Sequence, residues 1–217
     1  MLPKLLLATI PVGFVLLSSE YLWRKKIVKG ERARKFIHIL AGIWMAFWPF
    51  YISFDAIFLL GWAALTLLVY SRFTDLFHAI YAVERRTYGE LLFALAIVVC
   101  AYIGKEPWVF TTSILLLALA DGGAAVAGRL WGRKNQYRVF GSNDLLKSVA
   151  GTAAFIVFAY ASIIIGLLLG GYALLRGEYV LLVGFPLVLA AIENLSPYGF
   201  DNLATPLIAT LVLNSFL

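Results

Sequence analysis

The chain has 217 residues, 62% of them hydrophobic and only 14% charged, with a formal net charge of +6. A soluble domain carries about 25% charged and 45–50% apolar residues, so this composition excludes an ordinary water-soluble fold. The basic residues gather in short loops rather than on one surface, which argues against a nucleic-acid partner, and a single cysteine, Cys100, excludes an internal disulfide.

The apolar residues fall into continuous blocks of roughly membrane-spanning length. They predict an all-α, polytopic helical bundle in the lipid bilayer, one domain over residues 1–217. Strands are not expected, because the blocks do not alternate and backbone in lipid must pair within its own segment. Eight spans follow in order, at about 2–22, 36–53, 55–70, 89–104, 108–127, 149–171, 179–194 and 202–217. The break around Ser53-Phe54-Asp55 and the short last block leave seven as the alternative. Lys4 alone precedes the first block, whereas Arg24, Lys25 and Lys26 follow it. This bias predicts an uncleaved anchor with its N-terminus outside. In that orientation fifteen of the eighteen Lys and Arg lie on the cytoplasmic side, and only Lys4, Lys105 and Arg176 lie outside.

The same drawing brings His38, Glu90, Asp121, Glu193, Asp201 and Asn202 to the cytoplasmic ends of their spans, which points to one site on that face. Arg34 and Lys35 stand four and three residues before His38 and share a helix face with it. A phosphate or substrate contact there competes with simple anchoring at the interface. Glu90 opens the fourth span, where an acidic residue also serves ordinary helix-end electrostatics.

Asp121 lies seven residues, roughly 10 Å of helix, from the end of its span at Gly128. An ionisable residue at that depth is costly and marks a functional candidate. The small residues Ala120, Gly123, Ala124, Ala127 and Gly128 predict close helix packing, which would draw carboxylates on neighbouring helices towards Asp121. The glycine spacing from Gly123 to Gly128 imitates a phosphate-binding P-loop, but Arg129-Leu130 follows where Lys-Ser/Thr is required. Beyond it, Arg129, Gly132, Arg133 and Lys134 begin a basic loop suited to phosphates or anionic lipid. The loop ends at Lys147-Ser148, where Ser148 is placed to cap the next helix and its first-turn N–H groups favour an anion. Glu193-Asn194 and Asp201-Asn202 flank a short turn, and acids and amides of this kind are the hard oxygen ligands that Mg²⁺ takes when it bridges to phosphates. His38 and His78 lack the spacing of a zinc site.

These pieces together resemble the polyprenol kinase family of membrane lipid kinases, which includes phytol, farnesol and dolichol kinases. The resemblance rests on Arg34-Lys35-x-x-His38, Gly89-Glu90, Ala120-Asp121-Gly122 with Gly128 to Gly132, Lys147-Ser148 through Gly151-Thr152, and Glu193 with Asp201-Asn202. They occur in family order over most of the chain from Arg34 onward. Many members carry a Glu where Ala150 stands, and here the chain looks more like the phytol-kinase branch. The resemblance implies transfer of the γ-phosphate of a nucleoside triphosphate, typically CTP, to an isoprenoid alcohol at the cytoplasmic interface. It further implies Asp121 and Lys147 as the catalytic pair, with Mg²⁺ held by Asp121, Glu193, Asp201 and Asn202. Arg34, Lys35, His38, Arg129, Gly132, Arg133, Lys134, Lys147 and Ser148 would then hold phosphates, with Glu90 and Gly128 in support. A phosphatidate-type cytidylyltransferase, a diacylglycerol kinase and a small cation-coupled transporter are the alternatives. The oligomeric state is left open.

Overall fold

A computed structural model describes residues 2–28, 30–74, 76–81, 87–139, 146–172 and 183–215. Lys29, Arg85, Arg86, Gly141, Asn143 and Arg176, which entered the charge and loop arguments above, lie outside the described residues, as does the start of the block at 179–194.

Every expected apolar block contains a helix. Helix α1 runs Leu2–Arg24, and α2 runs Glu31–Ala46. α2 starts at Gly30, whose φ of 56° turns the chain in a way only glycine accepts readily. It therefore begins ahead of the apolar block, and Arg34, Lys35 and His38 lie on the helix proper. Pro49, lacking an N–H, ends α geometry in favour of a single 3-10 turn, Trp48–Phe50. The break expected near Ser53 is real, because α3 starts afresh at Phe54 and runs to Thr74. A short α4 (His78–Tyr81), which the sequence did not announce, leads to α5 (Gly89–Ile103).

Next comes a continuous helical rod, Pro107–Lys134. It consists of α6 (Pro107–Leu115), one π turn (Leu116–Asp121), α7 (Gly122–Trp131) and a closing 3-10 turn (Gly132–Lys134). β1 (Gln136–Arg138) and β2 (Leu146–Ser148) pair antiparallel, with Tyr137 opposite Lys147. This ribbon corrects the expectation of no strands. That expectation rested on backbone in lipid, whereas the ribbon lies in the loop between two apolar helices. α8 (Val149–Leu169), α9 (Phe185–Leu195) and α10 (Asp201–Asn214) complete the described chain.

Four helical stretches are long and apolar enough to cross a membrane, namely α1, α3, the Pro107–Lys134 rod and α8. α5 and α9 are apolar but shorter. The rod is the hub, with 78% of its apolar window buried against 17% for α1 and for α3. On one side Phe110, Ile114 and Leu115 pack with Ile57 of α3 and Ile97 of α5. On the other, Leu116 and Ala120 pack with Phe155 and Ile163 of α8, Leu189 of α9 and Leu213 of α10. Large apolar side chains such as Ile10, Phe14, Phe73 and Leu168 remain on the outside, the surface expected of a membrane protein.

Candidate active site

The π turn places Asp121. A π turn carries an extra residue, so one carbonyl loses its ordinary α-helical partner, and such turns recur at functional sites. Here the Leu117 carbonyl is met by His38 Nε2 at 2.8 Å. The same nitrogen lies 3.2 Å from Asp121 Oδ2, and Lys35 Nζ donates to that oxygen at 2.5 Å. Lys35 and His38, three residues apart on α2, therefore both face a buried carboxylate. Gly122 makes the approach possible, since a Cβ there would lie 2.8 Å from Ile39 Cδ1 of α2.

The ribbon places Lys147. Side chains directly opposite on paired strands share a face, and Tyr137 and Lys147 both turn towards the end of α9. Tyr137 donates to Asn194 Oδ1 at 2.7 Å and bonds Thr152 Oγ1 at 2.5 Å. Lys147 forms a charged hydrogen bond with Glu193 and also reaches the Glu193 carbonyl at 3.3 Å. Burial draws the Lys147 pKa down, but the facing Glu193 carboxylate, with Asp201 and Asp121 behind it, more than offsets this and holds the ammonium above its ordinary value. Its charge, and the pair's contribution to stability, would be lost only as pH rose through that shifted value.

Small residues bring α7 and α8 together as expected. A Cβ on Gly151 would lie 3.1 Å from the Ala124 carbonyl, and one on Gly132 would lie 2.7 Å from Ser148 Cβ. Ser148 is the N-cap of α8, its Oγ accepting the Gly151 N–H at 3.1 Å. Ser148→Ala should therefore cost about 1 kcal/mol and lower the thermal unfolding midpoint in detergent. An unchanged midpoint would show that the cap is dispensable.

The turn between α9 and α10 places the remaining acids. Gly199, at φ 88°, sits so close to α5 that a Cβ would lie 2.8 Å from Gly89 Cα, and Tyr88 N–H donates to the Tyr198 carbonyl at 3.0 Å. Asn202 Nδ2 donates to the Gly89 carbonyl at 3.0 Å. One oxygen each from Asp121, Glu193 and Asp201 lie within 4.8 Å of one another. Asp201 Oδ1 and Asn202 Oδ1 are buried and make no hydrogen bond among the described residues. Unsatisfied buried acceptors are rare in folded proteins, and here they sit beside three carboxylates.

These groups line one cavity of about 220 Å³, in which Arg34, Lys35 and Lys147 face Asp121, Glu193 and Asp201. Several expected phosphate ligands do not line it. Arg133 and Lys134 point outward, Arg129 is half-buried at the end of α7, and Gly132 is packed under Ser148. Glu90 pairs with Arg72 at 3.2 Å, and His38 lies behind Asp121. The sequence gave no hint of Gln136 and Tyr137, since a three-residue strand has too little alternation to be seen. Nor did it single out Glu20, a buried α1 carboxylate that accepts the Ala79 N–H at 3.0 Å, pairs with Arg24 and contacts His78 Nδ1 at 3.1 Å, fixing α4 to α1.

Over 216 residues the chain is 32% identical to a curated phytol kinase from Synechocystis sp., an alignment covering 95% of this chain and 88% of that one. No family model matches the chain, and no solved structure does.

Proposed function

The chain belongs to the phytol kinase family of membrane lipid kinases and is a phosphotransferase with an alcohol acceptor, and from that premise we propose that it moves the γ-phosphate of CTP to a phytol-like isoprenoid alcohol. The oxygen of the alcohol attacks the γ-phosphorus, the bond from that phosphorus to the β–γ bridging oxygen breaks, and CDP leaves. The observation that carries this reading is the meeting of Asp121, Glu193 and Asp201 with Lys35 and Lys147 in one cavity, although they come from five separate elements.

Phosphoryl transfer asks the protein for in-line positioning and for charges that offset those developing on oxygen. Three carboxylates with two further unsatisfied oxygens form a hard-oxygen set that fits Mg²⁺. Asp121, Glu193, Asp201 and Asn202 would hold it, and the ion would bridge β- and γ-phosphate oxygens and withdraw charge from them. Lys147 and Lys35, now spent on carboxylates, turn to the phosphates when these arrive. Arg34 lines the same wall, and the first-turn N–H groups of α8 favour an anion beside Ser148. The acidic cluster and its cations then exchange partners without a change in the net charge contributed by the protein.

We place this site on the cytoplasmic face of a single multi-pass domain with seven or eight spans and its N-terminus outside. The concentration of Lys and Arg in the loops next to the site supports that orientation. The direct test incubates purified protein with phytol or geranylgeraniol and each of four γ-labelled nucleoside triphosphates. Label should pass to the lipid, and most readily from CTP. Label released as pyrophosphate would instead identify a cytidylyltransferase, and transport without nucleotide turnover would remove the kinase reading.

A further inference from the structure

A second cavity, of about 120 Å³, lies on the other side of α2. α1 packs against α2 and α3 against α5, and the cavity runs between these two pairs. Its walls are apolar, formed by Leu16, Ile37, Ala41, Ala64, Leu67 and Phe93. Ala64 and Leu67 are exposed and face space that no described side chain fills. The cavity is polar at one end only, where it meets Arg34, His38 and Glu90.

That end joins it to the first cavity. Arg34 lines both cavities. His38, packed edge-on against Phe93 with ring centroids 4.9 Å apart, reaches Asp121 Oδ2 at 3.2 Å. The two cavities thus approach the Asp121 carboxylate from different sides, one through ionic groups of β2, α9 and α10, the other through apolar faces of α1, α3 and α5. An in-line displacement needs donor and acceptor on opposite sides of the phosphorus, with the reacting atoms brought to about 3–3.5 Å.

We infer that this groove takes the isoprenoid tail of the acceptor alcohol, so that its hydroxyl emerges beside Arg34 and His38. The inference rests on the kinase reading above and adds to it the place where chain length is read. A tail leaving the bilayer gains little from burial as such, because lipid is already apolar. The groove therefore acts through shape, holding the first carbons in line with the phosphate cavity. Ala64 is eight residues before Arg72, the partner of Glu90, and so about 12 Å of helix from the polar end. A ten-carbon alcohol stops short of Ala64, whereas a twenty-carbon alcohol passes it.

The test is Ala64→Phe, a change at an exposed position of the groove wall. It should lower kcat/KM for a twenty-carbon prenol about tenfold or more while leaving the ten-carbon alcohol and the KM for nucleotide within about threefold. A second measurement needs no turnover. A twenty-carbon prenol carrying a diazirine at its far end, in nanodiscs, should label the Leu60–Leu67 stretch of α3 in the wild-type chain, and Ala64→Phe should suppress that label. Phosphoryl transfer with unchanged chain-length preference, or label displaced as readily by phospholipid as by unlabelled prenol, would overturn the groove and leave the kinase intact. Labelling of α3 without any phosphoryl transfer would leave the groove and remove the kinase.

Discussion

Asp121→Asn should reduce phosphoryl transfer about a thousandfold or more while changing the side chain by one atom. Preorganised charge at a phosphoryl-transfer site commonly contributes this much, and Asp121 is the one carboxylate that touches both Lys35 and His38. Stability should fall as well, since removing one partner of a buried ion pair typically costs about 3–5 kcal/mol. The two effects separate in the double variant Lys35→Gln/Asp121→Asn, which removes the stranded ammonium too. Its unfolding midpoint should recover most of the loss, and its activity should not. Turnover of Asp121→Asn at the wild-type rate, with the same dependence on added Mg²⁺, would remove Asp121 from the centre of the mechanism.

Lys147→Ala should act mainly through the nucleotide. The ammonium sits in the ribbon and is held charged by Glu193, so its loss removes a phosphate ligand and strands a buried carboxylate together. We expect kcat/KM for CTP to fall by roughly thirtyfold to a thousandfold, the range of about 2–5 kcal/mol found when one partner of a buried charged pair is truncated. The KM for alcohol should change little. Adding Glu193→Gln to Lys147→Ala should restore thermal stability without restoring nucleotide use. Weakened alcohol binding with normal nucleotide affinity would contradict the assignment.

The sequence disclosed helices more readily than partners. The apolar blocks located all the long helices because burial in lipid or in a helical core leaves a continuous signal over many residues. Asp121, Glu193 and Asp201 stood out because charge within or beside such blocks is costly. Their pairings were not legible. Lys35 and Asp121 are 86 residues apart, and nothing local in either segment specifies the other. Arg133 and Lys134 belong to a conspicuous basic loop, yet they point outward, while the less conspicuous Lys35 and Arg34 line the cavity. Charge density reports which side of the membrane a loop occupies, whereas contact with a site depends on the direction a helix presents. The π turn left no trace in composition because its cause is the packing of three helices around it. Tyr137 and Thr152 escaped notice for a similar reason, being ordinary residues joined only by the ribbon.

The wide turn at Leu116–Asp121 gives the rod a frame shift that later changes cannot easily undo. In a regular α-helix each residue advances about 100° around the axis. Deleting one residue, for example Ala118, would let the rod relax into uniform winding and rotate everything beyond it by about that angle relative to α6. Asp121 and the glycines that seat α7 against its neighbours would then face different directions from those they now hold. A substitution in this stretch alters one side chain, but a shortening by one position misaligns both ends of the rod at once. Among variants of this chain, length should therefore be kept here more strictly than identity.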